Sequence, residues 1–135
     1  MANPLTGRLQ LDFRSGLPAY IQIVRQVQRQ ATAGALRPGD RLPTVRLLAD
    51  ELGLNFNTAA RAYRLLAEAG VVSTQRGRGT YIIGKPAASP TLRRTVLAAL
   101  ADDYVQVAKQ HKLEDHEILA IVSRRLKHVR SGHSG

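Results

Sequence analysis

Leu42-Pro43-Thr44-Val45-Arg46-Leu47-Leu48-Ala49-Asp50-Glu51-Leu52-Gly53-Leu54-Asn55-Phe56-Asn57-Thr58-Ala59-Ala60-Arg61-Ala62-Tyr63-Arg64 reads as two helices joined by a tight turn. Thr44 suits the start of the first, because its hydroxyl can accept from an amide that has no partner inside the helix. Val45, Leu48, Ala49 and Leu52 recur at helical spacing as one apolar face. Gly53 supplies the left-handed residue that ends such a helix. Asn55 or Asn57 caps the second helix, which is expected to run to about Ala69. Ala59, Ala62, Tyr63, Leu66 and Ala69 face inward on it, and Asn57, Arg61, Arg64 and Glu68 form a polar stripe. A helix that enters a major groove needs both faces, one for its own domain and one for the bases.

Outward from this core, Gly70 closes the second helix. Val71 to Gln75 and Thr80 to Ile83 then read as two strands around the glycine-rich tip Arg76-Gly77-Arg78-Gly79. Upstream, Leu36-Arg37-Pro38-Gly39-Asp40 is a turn. Before it a helix is expected from Pro18 to about Ala33, with Tyr20, Val24, Val27 and Ala31 on one face, Arg25, Gln26, Arg29 and Gln30 elsewhere, and Gly34 as its stop. In residues 1–16, Leu9, Leu11 and Phe13 alternate with polar residues, a period suited to a short strand or an extended arm.

Residues 85–90 read as a linker. Residues 91–130 read as two further helices, one to about His111 and one over about Glu114 to Val129. The second has acidic residues in its first turn and basic ones in its last, as the helix dipole favours. Leu92, Val96, Leu100, Tyr104 and Val107 stripe the first, and Ile118, Val122, Leu126 and Val129 stripe the second. A two-helix hairpin alone leaves one apolar face bare, so Leu92, Val96, Leu100, Tyr104, Val107, Ile118, Val122 and Leu126 are expected to form a dimer seam. Residues 131–135 are expected to be a disordered tail. No internal repeat is visible. The fold class expected is α+β: a winged helix-turn-helix over residues 17–84, preceded by the arm of residues 1–16 and followed by a short C-terminal helical hairpin for dimerisation.

The chain has 135 residues with 20 Lys and Arg against 10 Asp and Glu, a net charge of +10. Residues 1–85 hold 12 basic and 5 acidic side chains, so the charge is concentrated where the helix-turn-helix lies. Such a balance favours a polyanionic partner. There are no cysteines, which removes disulfides and thiolate metal sites. No apolar run approaches the roughly 20 residues of a membrane-spanning helix, and Met1 to Gln10 lacks the pattern of a signal peptide. We expect a cytoplasmic protein without a membrane partner.

Double-stranded DNA is the expected partner. Base reading falls to Asn55, Phe56, Asn57 and Thr58 at the start of the recognition helix: Asn can bond an adenine edge twice, and the Thr methyl or Phe ring can touch a thymine methyl. Phe56 is equally readable as a turn residue. Arg61 reaches a guanine or a phosphate, and Arg64, further back, a phosphate. Both are also readable as a solvated helix face. Thr44 presents a helix N-terminus to a phosphate, with Arg46 adding charge in the same turn and Arg41 a further candidate. At the hairpin tip Gly77 allows close backbone approach, while Arg76 and Arg78 can enter the minor groove. An enzyme is not expected: Ser123, His116 and Asp115 sit on one helix with no glycine-rich elbow. His111 and His116 straddle a helix break without a third ligand, so no metal or cofactor is expected.

Gly39-Asp40-Arg41-Leu42-Pro43-Thr44-Val45-Arg46-Leu47-Leu48-Ala49 resembles the second-helix signature of GntR-type bacterial transcription regulators. Asn55 to Tyr63 resembles that family's recognition helix, Arg76-Gly77-Arg78-Gly79-Thr80-Tyr81 its wing, and Gly16 to Ile23 its first helix. The resemblance covers about residues 9–84. It departs at Phe56, where many members carry Pro or Arg, and at Ala60, where some carry Arg. It implies a winged helix-turn-helix that binds operators as a dimer, with phosphate and base contacts at Thr44, Arg46, Asn55, Asn57, Thr58, Arg61 and Gly77. The two helices after the linker resemble the YtrA subfamily, whose short extension makes the dimer. The expected function is therefore a homodimeric regulator, expected to repress, that binds an inverted-repeat operator under the control of an unknown small-molecule effector or of none. The alternative is a nonspecific basic nucleic-acid-binding or architectural protein.

Overall fold

The computed structural model describes residues 9–83 and 90–133. In chain order its elements are α1 (Ala19–Thr32), α2 (Val45–Leu52), α3 (Phe56–Glu68), β1 (Val72–Gln75), β2 (Gly79–Ile82), α4 (Pro90–Gln110) and α5 (Asp115–His133). Two compact units are present, residues 1–96 and residues 97–135. α4 crosses the boundary, so its first turns belong to the first unit. The architecture is α+β.

In the first unit α3 packs against both α1 and α2, and it leads directly into β1. The inward residues expected on α3 are buried except for Ala69, which is half-buried, and Leu65 is buried as well. On α1 the buried face is wider than the expected stripe and takes in Ile21 and Ile23. That is the burial pattern of a helix covered on more than one side. β1 and β2 pair antiparallel with Val72 opposite Ile82 and Gln75 opposite Gly79. The turn between them is closed by the Arg78 amide donating to the Gln75 carbonyl at 2.9 Å. Gly77 stands at its third position with φ 79°, where a type II turn requires a positive φ.

The other edge of β2 is occupied too. The Leu42 amide donates to the Thr80 carbonyl at 2.8 Å, the Ile82 amide to the Asp40 carbonyl at 2.9 Å and the Gly39 amide to the Ile82 carbonyl at 2.8 Å. Arg41 and Tyr81 thereby face each other as a bridge pair. The connector before α2 is thus a third, short partner of the wing, which protects an otherwise open strand edge.

Residues 9–16 form no strand, which leaves the arm of the two expected forms. Leu9 is buried, and the arm's backbone is paired with side chains. The Gln26 side-chain oxygen accepts from the Gln10 amide at 3.0 Å, and its Nε2 donates to the Gln10 carbonyl at 2.6 Å. One turn earlier on α1, Gln22 accepts from the Asp12 amide at 2.7 Å and donates to the Asp12 carbonyl at 2.9 Å. Gln22 Nε2 also approaches Ser15 Oγ at 3.2 Å and the Leu17 carbonyl at 2.9 Å. A Gln amide offers the same donor and acceptor as a backbone peptide, so two glutamines four residues apart do the work of a neighbouring strand. Residues 1–8 of the expected arm lie outside the described residues.

The expected linker also lies outside the described residues except for Pro90, which already begins α4. α4 ends where the Leu113 amide donates to the Ala108 carbonyl at 3.1 Å and the Lys112 amide to Lys109 at 2.9 Å, with Lys112 at φ 64°. This is a Schellman ending with Lys in the position that usually takes Gly. Lys109 pairs with Asp115 across this turn. That hydrogen bond and charge hold the Asp115 carboxyl below its ordinary value, so the pair contributes at neutral pH and is lost as acid protonates Asp115. α5 continues to His133, so residues 131–133 of the expected disordered tail are helical. None of the helices among the described residues is long and apolar enough to cross a membrane.

Replacing Gln22 with Ala should detach the arm while leaving the helices folded. We expect the Asp12 amide to lose its hydrogen-exchange protection and the unit to lose about 1–2 kcal/mol; retained protection would mean that the arm is held by something other than this side chain.

Candidate nucleic-acid interface

Both helices of the helix-turn-helix start on a side-chain cap. Thr44 Oγ1 accepts from the Leu47 amide at 3.1 Å, and Asn55 Oδ1 accepts from the Asn57 amide at 2.8 Å. Each cap satisfies one of the four orphan amides of a helix start and leaves the others facing outward. Thr44 and Arg46 are exposed at the start of α2. On the first turn of α3, Phe56 and Asn57 are exposed and Thr58 is half-buried. Asn55 is exposed as well, but its side-chain oxygen is committed to the cap, so Asn57 is the asparagine whose amide stands clear on this turn. Arg64 is exposed further along α3.

Arg61 is placed differently from the expectation. Its guanidinium lies over the Tyr20 ring of α1, 4.1 Å from the centroid, and the residue is half-buried. Helical spacing alone put Arg61 on the polar stripe. The stripe's edge, however, abuts α1, and a long cationic side chain gains more by stacking on a tyrosine face than by standing in water. Arg61 therefore joins α3 to α1 at this position.

Tyr63 is buried, and its hydroxyl donates to the Pro43 carbonyl at 2.7 Å. Burial, and secondarily the nearby Glu51 charge, pushes the phenol's pKa up, so it remains a neutral donor. This bond sets the distance between α3 and the entrance to α2. In the wing, Arg76, Gly77 and Arg78 are exposed. The Tyr81 hydroxyl donates to the Arg78 carbonyl at 2.8 Å, which braces the tip against β2. Among the described residues Arg41, Arg46, Arg64, Arg76 and Arg78 make no ion pair with an acid. Their charge is uncompensated at the surface, as attraction of a polyanion requires.

Asp115 and His116, weighed for the catalytic and metal alternatives, both lie at the start of α5. Asp115 pairs with Lys109, and His116 Nδ1 lies 3.4 Å from Glu114. Glu114, His116 and Glu117 cluster at the start of α5 and are all exposed. There Glu117 accepts from the Glu114 amide at 3.0 Å, which is the reciprocal capping expected of a helix start.

α1 and α2 packed on α3, followed by a two-stranded wing braced on the connector before α2, define a winged helix-turn-helix. Residues 19–82 match the family described as bacterial regulatory proteins, gntR family. The chain is 46% identical over 101 residues to the HTH-type transcriptional regulator Rv1152 of Mycobacterium tuberculosis, covering 75% of this chain and 79% of that protein. It is also 46% identical over 74 residues to the HTH-type transcriptional repressor YtrA of Bacillus subtilis, a match that takes in 55% of this chain and 57% of that protein. Among solved structures, YtrA from Sulfolobus acidocaldarius, a GntR-family transcription factor, superimposes with a TM-score of 0.56 at 34% identity, over 70% of this chain and 98% of that one. The chain belongs to the GntR family and is a DNA-binding transcriptional regulator of the YtrA type.

Two substitutions test how α3 is held. Tyr63→Phe strands the buried Pro43 carbonyl and should cost about 1–3 kcal/mol, while Arg61→Ala should cost about 1 kcal/mol through the lost stacking. Urea denaturation of both variants checks these values; an Arg61→Ala protein as stable as wild type would return Arg61 to the solvated face.

Proposed function

We propose that the protein is a homodimeric repressor that binds an inverted-repeat operator in double-stranded DNA, each subunit reading one half-site. The observation that carries the dimer is the apolar surface left exposed on the second unit. From Leu119 to Arg130 every residue of α5 is exposed, including Leu119 (68%), Leu126 (58%) and Val129 (50%). Leu97, Val105 and Val107 of α4 are exposed as well. Most helical stability in a protein comes from packing an apolar face, and exposed apolar surface this continuous marks an association site.

The composition of the seam follows from these exposures. Of the residues expected there, Tyr104, Val107, Val122 and Leu126 are exposed, Val96 and Leu100 are half-buried, and Leu92 and Ile118 are buried within a single chain. Leu92 lies on the part of α4 that belongs to the first unit and, at 2% exposure, has little surface left for a partner. Leu97, Leu119, Ile121 and Val129 take its place in the proposed seam. A dimeric helix-turn-helix protein reads half-sites about 34–36 Å apart or a multiple of that distance.

On the DNA, Thr44, Arg46 and Arg64 hold phosphates and Phe56, Asn57 and Thr58 meet base edges, with Asn55 setting the angle of that turn. Arg76 and Arg78 enter the minor groove, where Gly77 lets the backbone close in. Repression is supported by the Bacillus subtilis relative, which is named as a repressor. A small-molecule effector would have room in an open groove of about 560 Å3 between the arm and α1, edged by Asp12, Ser15, Arg25 and Arg29. The proposed place of action is the bacterial cytoplasm.

The dimer is tested by light scattering: wild type should run at twice the chain mass, and Leu126→Glu should run as a folded monomer. A monomeric wild type would overturn the seam. Operator binding is tested by fluorescence anisotropy on the protein's own upstream promoter against a shuffled duplex. A preference of roughly 10³-fold or more is expected of a specific regulator; equal affinity that collapses with salt would indicate a nonspecific binder.

A further inference from the structure

We infer that Arg41, which lies outside the wing in sequence, is the wing's third DNA-contacting cation, laid along the sheet toward the tip through the gap left by Gly79. The inference rests on the DNA-binding reading above and adds a residue to it.

The geometry comes from the third edge of the small sheet. Arg41 faces Tyr81, and the hydrogen bonds flanking the pair run from the Leu42 amide to Thr80 and from the Ile82 amide to Asp40. In an antiparallel ladder that pattern marks a non-hydrogen-bonded pair, whose side chains lie close together on one face. Thr80 and Ile82 are buried, so they take the core side. Arg41, Tyr81 and Gly79 therefore share the opposite face, with Gly79 the diagonal neighbour of Arg41 on the side toward the tip.

That diagonal position is empty because it is glycine. A Cβ built on Gly79 would stand 2.9 Å from Arg41 Nε, 3.3 Å from Nη2 and 3.4 Å from Cζ. The guanidinium thus lies directly over the Gly79 backbone, one residue from Arg78. Gly79 also has φ 114°, a backbone conformation that strains any other residue, so the position stays open to the guanidinium. Arg41 is exposed and makes no ion pair among the described residues. The guanidinium over Gly79 adds a third cation without an acid partner to the wing that carries Arg76 and Arg78, and such a group of like charges attracts an anion. The phosphate backbone flanking the groove that the tip enters is an anion of the required charge. Phosphate contacts carry no base information, so Arg41 adds affinity and orientation rather than sequence preference.

The test uses the full chain and a mixed-sequence DNA duplex, with anisotropy read over a series of salt concentrations. Arg41→Gln keeps a planar polar group and the first part of the stem while removing the charge. Arg76→Ala serves as the benchmark for the wing, and thermal melts confirm that each variant is folded. The expected result is that Arg41→Gln lowers the slope of log affinity against log salt by about 0.9, the value of one phosphate contact, with an unchanged melting temperature. Arg41→Lys should largely restore the slope. If Arg76→Ala lowers the slope and Arg41→Gln does not, Arg41 merely braces the wing and the inference is overturned while the DNA-binding reading stands. If neither changes it, the wing itself does not engage DNA, and the placement of the tip in the minor groove fails together with this inference.

Discussion

The hydrogen bond from the Tyr63 hydroxyl to the Pro43 carbonyl ties α3 to a six-residue connector that also holds the wing and the start of α2. Within residues 39–44, Gly39, Asp40 and Leu42 bond to β2, Pro43 receives Tyr63, and Thr44 caps α2. Arg41 lies over Gly79 between them. A rigid wing, a fixed α2 and a fixed α3 follow from one short segment in which the Gly39, Asp40 and Leu42 amides and the Asp40, Pro43 and Thr44 carbonyls are all bonded. The buried phenol suits this role because its raised pKa keeps it a neutral donor. The cost of losing it is that of a buried carbonyl with no partner, which is larger than the net worth of an average hydrogen bond.

Charge and packing are divided along α3. Its inner face is small and aliphatic, with Ala59 and Ala62 letting the neighbouring helices approach closely. Asn57 and Arg64 stay exposed. At the boundary between these faces Arg61 is drawn onto Tyr20. The same helix is held to α1 by a cation on an aromatic face and to the α2 entrance by a hydroxyl on a carbonyl. Two anchors of different chemistry fix both its position and its rotation, and rotation is what decides which side chains can meet bases.

The two units differ in how they bury themselves. The first closes a core of aliphatic residues from all three of its central helices and the wing, and uses Gln22 and Gln26 to hold the arm down. The second leaves most of α5 exposed and has Lys112 at a positive φ where Gly is usual. A segment with so little of its own core is ordered by association or only weakly ordered, which is the physical basis for placing the dimer seam there.

The helix-turn-helix and wing were legible because their signals are local: the caps at Thr44 and Asn55, the apolar periodicity of α2 and α3, and the glycines at the wing tip each act within a few residues. Leu65 and the breadth of the α1 core were missed because periodicity identifies the centre of a buried face and not its edges. Nothing in the order of residues foretold that Gln22 and Gln26 would replace a strand partner, that Arg61 would turn onto Tyr20, or that Arg41 would lie across Gly79. Those contacts join positions 10 to 41 residues apart in the chain, and they exist only once packing has brought α1, α3, the connector and the wing together. Helix boundaries, turn chemistry and net charge were thus determined by the sequence alone, because they are short-range properties. Which polar side chains face solvent and which are spent holding the fold was decided by tertiary structure, because that choice depends on what lies opposite them.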